Sequence, residues 1–197
     1  MMSLKDDGGE VSESVLYGRL LGSEWQRLDA AIRLMHTPGP GLHAAGVFRV
    51  VHGRHRTARL LAKLLRLPAE AEKVDVRLQV KPSGVAELWI RSFEQQRVMT
   101  RQSGTTLGIL RENTGWLELQ FRLIVEHGSL VYRQSGAGLR IGWWFVPLPG
   151  WISPTVEASE KSGDRPNSVW VSVAFSLPGV GLLVSYSGRI EAREAEA

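Results

Sequence analysis

Three side chains near the start of the sequence have the types and spacing for proton chemistry. Asp29, Arg33 and His36 share one edge of a helical wheel, with Asp29 and Arg33 at i,i+4. A histidine beside a carboxylate can hold or pass a proton near neutral pH. The plainer reading of the same spacing is a helix-edge ion pair closed by a histidine. Arg101, Tyr132 and Tyr186, placed by strand parity and neighbourhood, join Arg33 and His36 as polar groups able to orient a ligand. Trp25, Trp143 and Trp144 would supply apolar contact beside them. These eight are the candidate binding residues. No catalytic residue and no metal ligand is assigned, and an enzyme using His36 with Asp29 or Tyr186 is the weaker alternative.

Other constellations fall away on inspection. His52-x-x-His55 could bring two imidazoles onto one helical turn, but Arg54 and Arg56 beside them repel a cation and no carboxylate is adjacent. Glu157 and Glu160 have opposite strand parity, so they point to opposite faces and make no acid/base pair. Gly136-Ala137-Gly138-x-x-x-Gly142 has the outline of a dinucleotide loop, yet Trp143-Trp144-Phe145 and two prolines follow where a helix must start. No Walker A loop, no G-x-S-x-G turn and no H-E-x-x-H is present. The absence of cysteine excludes disulfides, thiolate catalysis and cysteine-bound zinc or iron–sulfur clusters. No cofactor is expected.

Charge narrows the partners. The net charge is +4 and the isoelectric point is near 9.8. The 24 basic residues are mostly arginine, spread through the chain and interleaved with 20 acids. A nucleic-acid surface needs a concentrated patch or stripe. The one dense run, His52 to Arg56 with Arg59 beyond, reads as a solvated basic turn at the start of a helix. No nucleic-acid partner is expected.

The elements that must position these residues divide into a helical front and a β-rich remainder. Helical spacing starts near Val15 and Leu16; Leu21, Trp25, Leu28, Ile32 and Met35, spaced 4, 3, 4, 3, predict one apolar stripe on a helix, with Ser23 after Gly22 as the N-cap of a second segment. Thr37-Pro38-Gly39-Pro40-Gly41 ends it. A short strand is expected over Gly46–Gly53. A helix follows over Arg54–Leu67, with Leu60, Leu61, Leu64 and Leu65 inward and Arg59, Lys63 and Arg66 outward. From Val74 the alternation is that of strands, clearest at Leu117, Leu119, Phe121, Leu123 and Val125.

The run from Asn167 to Gly188 carries no charge and is long enough to raise a membrane-spanning helix. Its pattern argues for a hairpin. Val169, Val171, Val173 and Phe175 alternate with small or polar residues, Pro178-Gly179 turns the chain, and Leu182, Val184 and Tyr186 resume the alternation. This hairpin is expected to be the most buried part of the domain.

The fold expected is α+β: N-terminal helices packed on a large, strongly curved antiparallel sheet or partly closed β-barrel of about ten strands. Residues 1–12 are expected as a disordered tail, 13–191 as a single domain and 192–197 as a C-terminal tail. No signal peptide is read in the acidic opening residues, so a cytoplasmic location is the default. The segment Trp143–Trp151 is the most unusual stretch: buried, it is a lid on the core; exposed, it is a pocket rim or a contact patch for a partner or membrane surface.

Several segments together resemble the bacterial domain-of-unknown-function family numbered 4166. They are Trp25-x-x-Leu28 with Arg33-x-x-His36, Gly46-Val47-Phe48-Arg49-Val50, Arg66-Leu67-Pro68, Phe121-Arg122-Leu123, Val146 to Trp151, Val156 to Glu160, and Leu177 to Val184 with Tyr186-x-Gly188. The likeness runs from Leu16 to Glu191. It implies a bacterial origin and no assigned activity. It also implies kinship with domains found free or behind NAD(P)-binding reductase-like domains.

Two functions follow as expectations. The first is non-catalytic binding of a small apolar or lipid-like molecule in a pocket between curved sheet and helices. The second is an accessory or protein-interaction domain working with a separate NAD(P)-dependent reductase.

Overall fold

A computed structural model of the chain describes residues 15–94 and 96–193. It begins with three short helical pieces: α1 (Leu16–Leu21), a 3-10 turn (Gly22–Arg27) and α2 (Ala30–Met35). Strand β1 (Leu42–His52), helix α3 (Arg56–Leu64) and strand β2 (Ala71–Ser83) follow. The remaining strands are β3 (Ala86–Phe93), β4 (Gln96–Gly104), β5 (Ile109–Thr114), β6 (Leu117–Glu126), β7 (Ser129–Ile141), β8 (Trp144–Pro147), β9 (Thr155–Ser162), β10 (Ser168–Leu177) and β11 (Gly181–Arg193).

Ten of these strands close on themselves. The sheet runs β6-β5-β4-β3-β2-β1-β11-β10-β9-β7, and β6 pairs with β7 to complete the ring. Every pairing is antiparallel. β8 lies outside the ring, paired only with β7. The expected barrel is thus fully closed, which removes the sheet edges an open one would leave.

Period-two alternation builds the wall. On β2, Val74, Val76, Leu78 and Val80 are buried in the bore while Asp75, Arg77 and Lys81 face out. β6 repeats this with Leu119, Phe121, Leu123 and Val125. Apolar inside and polar outside is the reverse of a membrane-spanning barrel. Among the described residues no helix is long and apolar enough to cross a membrane. Where β1 crosses β11, Gly46 and Gly188 lie two pairs apart in the register. A side chain on Gly188 would run into the Val47 carbonyl and Phe48, and one on Gly46 into the Arg189 carbonyl, so only glycine fits there.

The two barrel ends differ. One end carries α1, the 3-10 turn, α2 and the loops 83–86, 104–109, 126–129 and 162–168. We call it the helical end; Asp29 N donates to the Gly128 carbonyl across it at 2.9 Å. The other, the open end, carries α3 and the turns 93–96, 114–117, 141–144 and 177–181.

Four expectations are corrected. The break expected at Gly22 is present (φ 55°), but the segment after it is two pieces rather than one helix, because the chain extends at Leu28 (ψ 145°) and Asp29 (ψ 147°). The stripe still packs: Leu21, Trp25, Leu28, Ile32 and Met35 are all buried. Ser23 lies inside the 3-10 turn rather than capping a helix.

α3 is turned over relative to its leucine pattern. Ala58 and Ala62 face the barrel at 0% exposure, while Leu60 and Leu64 are 67% and 75% exposed. Gly53 brings the chain against the Leu182 carbonyl of β11 and against Ala58, an approach that leaves no room for any side chain at position 53.

The 169–190 hairpin is present, turned at Gly179 and Gly181 with φ 73° and 84°. It is not the most buried part, since Val171, Val173 and Phe175 are half-buried around an internal cavity. Finally, the expected tail 1–12 lies outside the described residues, whereas Ala192 and Arg193, expected in the C-terminal tail, continue β11.

Candidate functional site

The bore of the barrel encloses a cavity of about 620 Å³. That is the size of a pocket for one small molecule. Its floor at the helical end is Met35 of α2, and its walls are mainly aliphatic and aromatic: Val171, Val173 and Phe175 on β10, Phe93 on β3, Phe121 on β6. Of its lining residues only Leu65, Arg66, Gly115 and Trp116 are exposed to solvent, and all four lie at the open end. The mouth is therefore there.

Polar side chains reach the bore in two groups. The first is the Arg91 guanidinium, which donates through Nη1 to Thr100 Oγ1 at 2.9 Å and to Glu112 Oε1 at 3.2 Å. Its charge also lies 5.1 Å from the centre of the Trp89 ring, a cation–π contact. Burial works against that charge, but Glu112 together with Tyr186, Tyr17 and Tyr132 outweighs it, so the arginine pKa is raised and the cation is permanent. Tyr186 lines the cavity in edge contact with Phe93. Burial raises the Tyr186 phenol pKa, and its hydroxyl, unlike those of Tyr17 and Tyr132, shows no side-chain hydrogen bond.

The second group is a fully buried network toward the helical end. His36 Nε2 lies 2.8 Å from Glu160 Oε2, and the Tyr132 hydroxyl donates to Glu160 Oε1 at 2.8 Å. The Tyr17 hydroxyl donates to Gln102 Oε1 at 2.7 Å and lies 3.2 Å from the Tyr132 hydroxyl. The Tyr17 ring stacks on His36 at 3.8 Å between centroids, and Trp89 packs on the same imidazole at 5.4 Å. Burial penalises the Glu160 carboxylate, but His36, the Tyr132 hydroxyl and Arg91 together overcome it and hold its pKa below the usual carboxylate range. Burial, reinforced by Glu160, pushes both tyrosine hydroxyls well above theirs. Nearby, Glu87 accepts from Trp89 Nε1 at 2.9 Å, and burial raises its carboxyl pKa.

Of the eight candidate residues, Tyr132 and Tyr186 line the cavity. His36 does not line the cavity and is at 0% exposure; it meets the lining residues Glu160, by hydrogen bond, and Trp89, by ring contact. Trp25 is buried among the helices, away from the cavity. Arg33 is not paired with Asp29; it donates to the Gln26 and Leu28 carbonyls and so ties the 3-10 turn to α2. Arg101 faces outward, because Thr100 and Gln102 on either side take the inward positions. Trp143 and Trp144 are 83% and 65% exposed on the β7–β8 turn, outside the bore.

The structure adds Arg91, Glu112, Thr100, Gln102 and Glu160, which line the cavity but are not among the eight. A signal existed for Arg91: it shares strand parity with Trp89 and Phe93, so an inward β3 carries an inward cation. Glu160 likewise shares the parity of Val156 and Ala158 on β9.

The outer wall holds one buried carboxylate. Glu118 is 1% exposed, within 3.4 Å of Arg140 and 3.7 Å of Arg111, and accepts from Gln120 at 2.9 Å. Beside it Gly138, the middle of the glycine run Gly136–Gly142, lies under the Phe145 ring, so that run serves β7–β8 packing.

No curated protein and no solved structure matches this chain. Its residues 28–190 match one family, most of the sequence and nearly all of the barrel. The chain belongs to the family described as Domain of unknown function (DUF4166).

Proposed function

We propose that the barrel binds, without transforming it, one small and mostly apolar molecule that carries a hydrogen-bonding oxygen at one end. The observation that carries this reading is the closed bore of about 620 Å³ with its mouth at one end only. The aliphatic wall of β10 with Phe93 and Phe121 would hold the apolar body. Arg91, Thr100 and the free Tyr186 hydroxyl would hold the oxygen, with Tyr132 further along the wall.

Glu112 already balances the Arg91 charge, so a neutral carbonyl or hydroxyl suits the site better than a free anion. His36 acts at one remove, by holding Glu160. Binding fits better than conversion because the Tyr17 and Tyr132 hydroxyls, Glu160 and His36 Nε2 are engaged with one another or with Gln102 behind the cavity, although His36 Nδ1 is buried with no partner among the described residues.

Native mass spectrometry of the protein as purified, beside the same sample denatured, tests the reading. The expected result is a one-to-one adduct of small mass that disappears on unfolding. Added fatty-acid methyl ester should occupy an emptied barrel in preference to the free acid. A barrel that stays empty and takes up neither compound overturns the proposal.

A further inference from the structure

Among the described residues, most large apolar side chains left in water lie at one end of the barrel, although Val85 and Leu107, on loops of the helical end, are also exposed. Leu60 and Leu64 on α3, Trp116 on the β5–β6 turn, Trp143 and Trp144 on the β7–β8 turn, and Trp151 on the loop before β9 are each at least 59% exposed. All belong to the open end, and Trp116 is itself part of the cavity mouth. The backbone ties two of these turns together: Arg140 N donates to the Trp116 carbonyl at 2.7 Å.

The same end is basic. Arg54, Arg56, Lys63 and Arg66 cluster on and beside α3 with no acidic side chain at ion-pair distance among the described residues. Arg59 reaches Glu70 only at 3.9 Å. Across the mouth, Arg140 shares the single Glu118 carboxylate with Arg111. Glu94, on the 93–96 turn, is one acid set against them.

We infer that the open end docks on a lipid bilayer bearing anionic headgroups. Tryptophan and leucine interleaved with arginine and lysine are what the headgroup–acyl boundary accepts, the apolar tips entering and the cations meeting phosphate. The inverted α3 supports this: it packs on the barrel through two alanines and offers its leucines outward, with its cations beside them. A second copy fits less well, because pairing this face with itself sets the α3 cations against their own kind.

Position adds a further argument. An apolar molecule leaving through this mouth would cross water unless the rim were seated on an apolar phase. Docking extends the ligand-binding reading and can fail independently of it.

Flotation of the full chain with vesicles of phosphatidylcholine alone, and of phosphatidylcholine with phosphatidylglycerol, provides the test. Binding is expected to the anionic vesicles, weakening with salt and shifting tryptophan emission to the blue. The pair Trp143→Ser and Trp144→Ser should lower vesicle affinity by more than about tenfold, since it removes most of the inserted area on that turn. Lys63→Glu should lower it by about fivefold or more.

Trp151→Ser, on a separate loop, repeats the test if the paired variant folds poorly by circular dichroism. The ligand adduct of correctly folded variants should be unchanged, which separates docking from binding in the bore. No affinity for anionic vesicles at low salt, or affinity indifferent to all these substitutions, overturns the inference. So does a dimer abolished by the same substitutions in a protein that ignores vesicles.

Discussion

The two ends of the barrel handle polar and apolar groups in opposite ways. At the helical end, Tyr17 and His36 are carried inside, fully buried, and matched with Gln102, Tyr132 and Glu160. At the open end, leucines and tryptophans face water and several cations have no acidic side chain at ion-pair distance among the described residues. The first arrangement is costly to build and fails if one member is lost, because an unpaired buried charge has no solvent to turn to. The second adds little to folding, because its side chains make few contacts to lose. Stability is therefore concentrated at one end of the cavity, and the proposed docking surface lies at the other.

The largest expected effect lies in the helical end. His36→Leu removes the partner of a buried carboxylate and should cost about 3–5 kcal/mol of unfolding free energy in urea at neutral pH. Adding Glu160→Leu to it should recover most of that loss, whereas independent sites would add. A single variant with near-normal stability would break the contrast between the ends.

The bore lies between them. Arg91→Met leaves Glu112 without its partner, so it should destabilise and also weaken ligand retention. Arg91→Met with Glu112→Gln should restore stability but not retention. Recovery of both would remove Arg91 from the site.

Acid sharpens the comparison further. Glu160 has a folded pKa lowered from its ordinary value, so its stabilisation is present above the unfolded carboxylate pKa of about 4.3 and is lost as pH falls through the folded value. Glu87 has a raised folded pKa, so its contribution has the opposite sign: present below the unfolded value and lost as pH rises through the folded one. Glu160→Gln should flatten the acid limb of stability against pH. Glu87→Gln should leave that limb in place and raise stability near neutrality, keeping the oxygen that Trp89 needs. The smallest effect belongs to the open end: Trp151→Ser should shift stability by less than about 0.5 kcal/mol.

What the sequence disclosed follows the same division. Wall strands were legible because each must put every second residue into the bore, as in Val74 to Val80 and Leu117 to Val125. The hairpin turn was legible in Pro178-Gly179. The helical front was legible as an apolar stripe with a break at Gly22, but the second break, where the chain extends at Leu28 and Asp29, was not.

The site was less legible. His36 was visible as a candidate by its neighbours on a helical wheel, yet its partner Glu160 is 124 residues away and comes to it only through barrel closure. Arg101 faces out and its neighbours Thr100 and Gln102 face in, a one-residue parity that no local pattern decides on β4. The leucines of α3 misled because period alone marks an apolar face without saying whether protein or something else covers it.

The central claim is that the bore is a binding chamber reached from the open end. The most direct measurement fills it: Val173→Trp, on the β10 wall, compared with wild type in a fluorescence titration with a neutral apolar dye. Wild type should bind one dye per barrel, and Val173→Trp should lose that binding by about tenfold or more while its circular dichroism and melting temperature hold, because the new ring takes the ligand's space. Equal binding by the folded variant, or none by wild type, would contradict the claim.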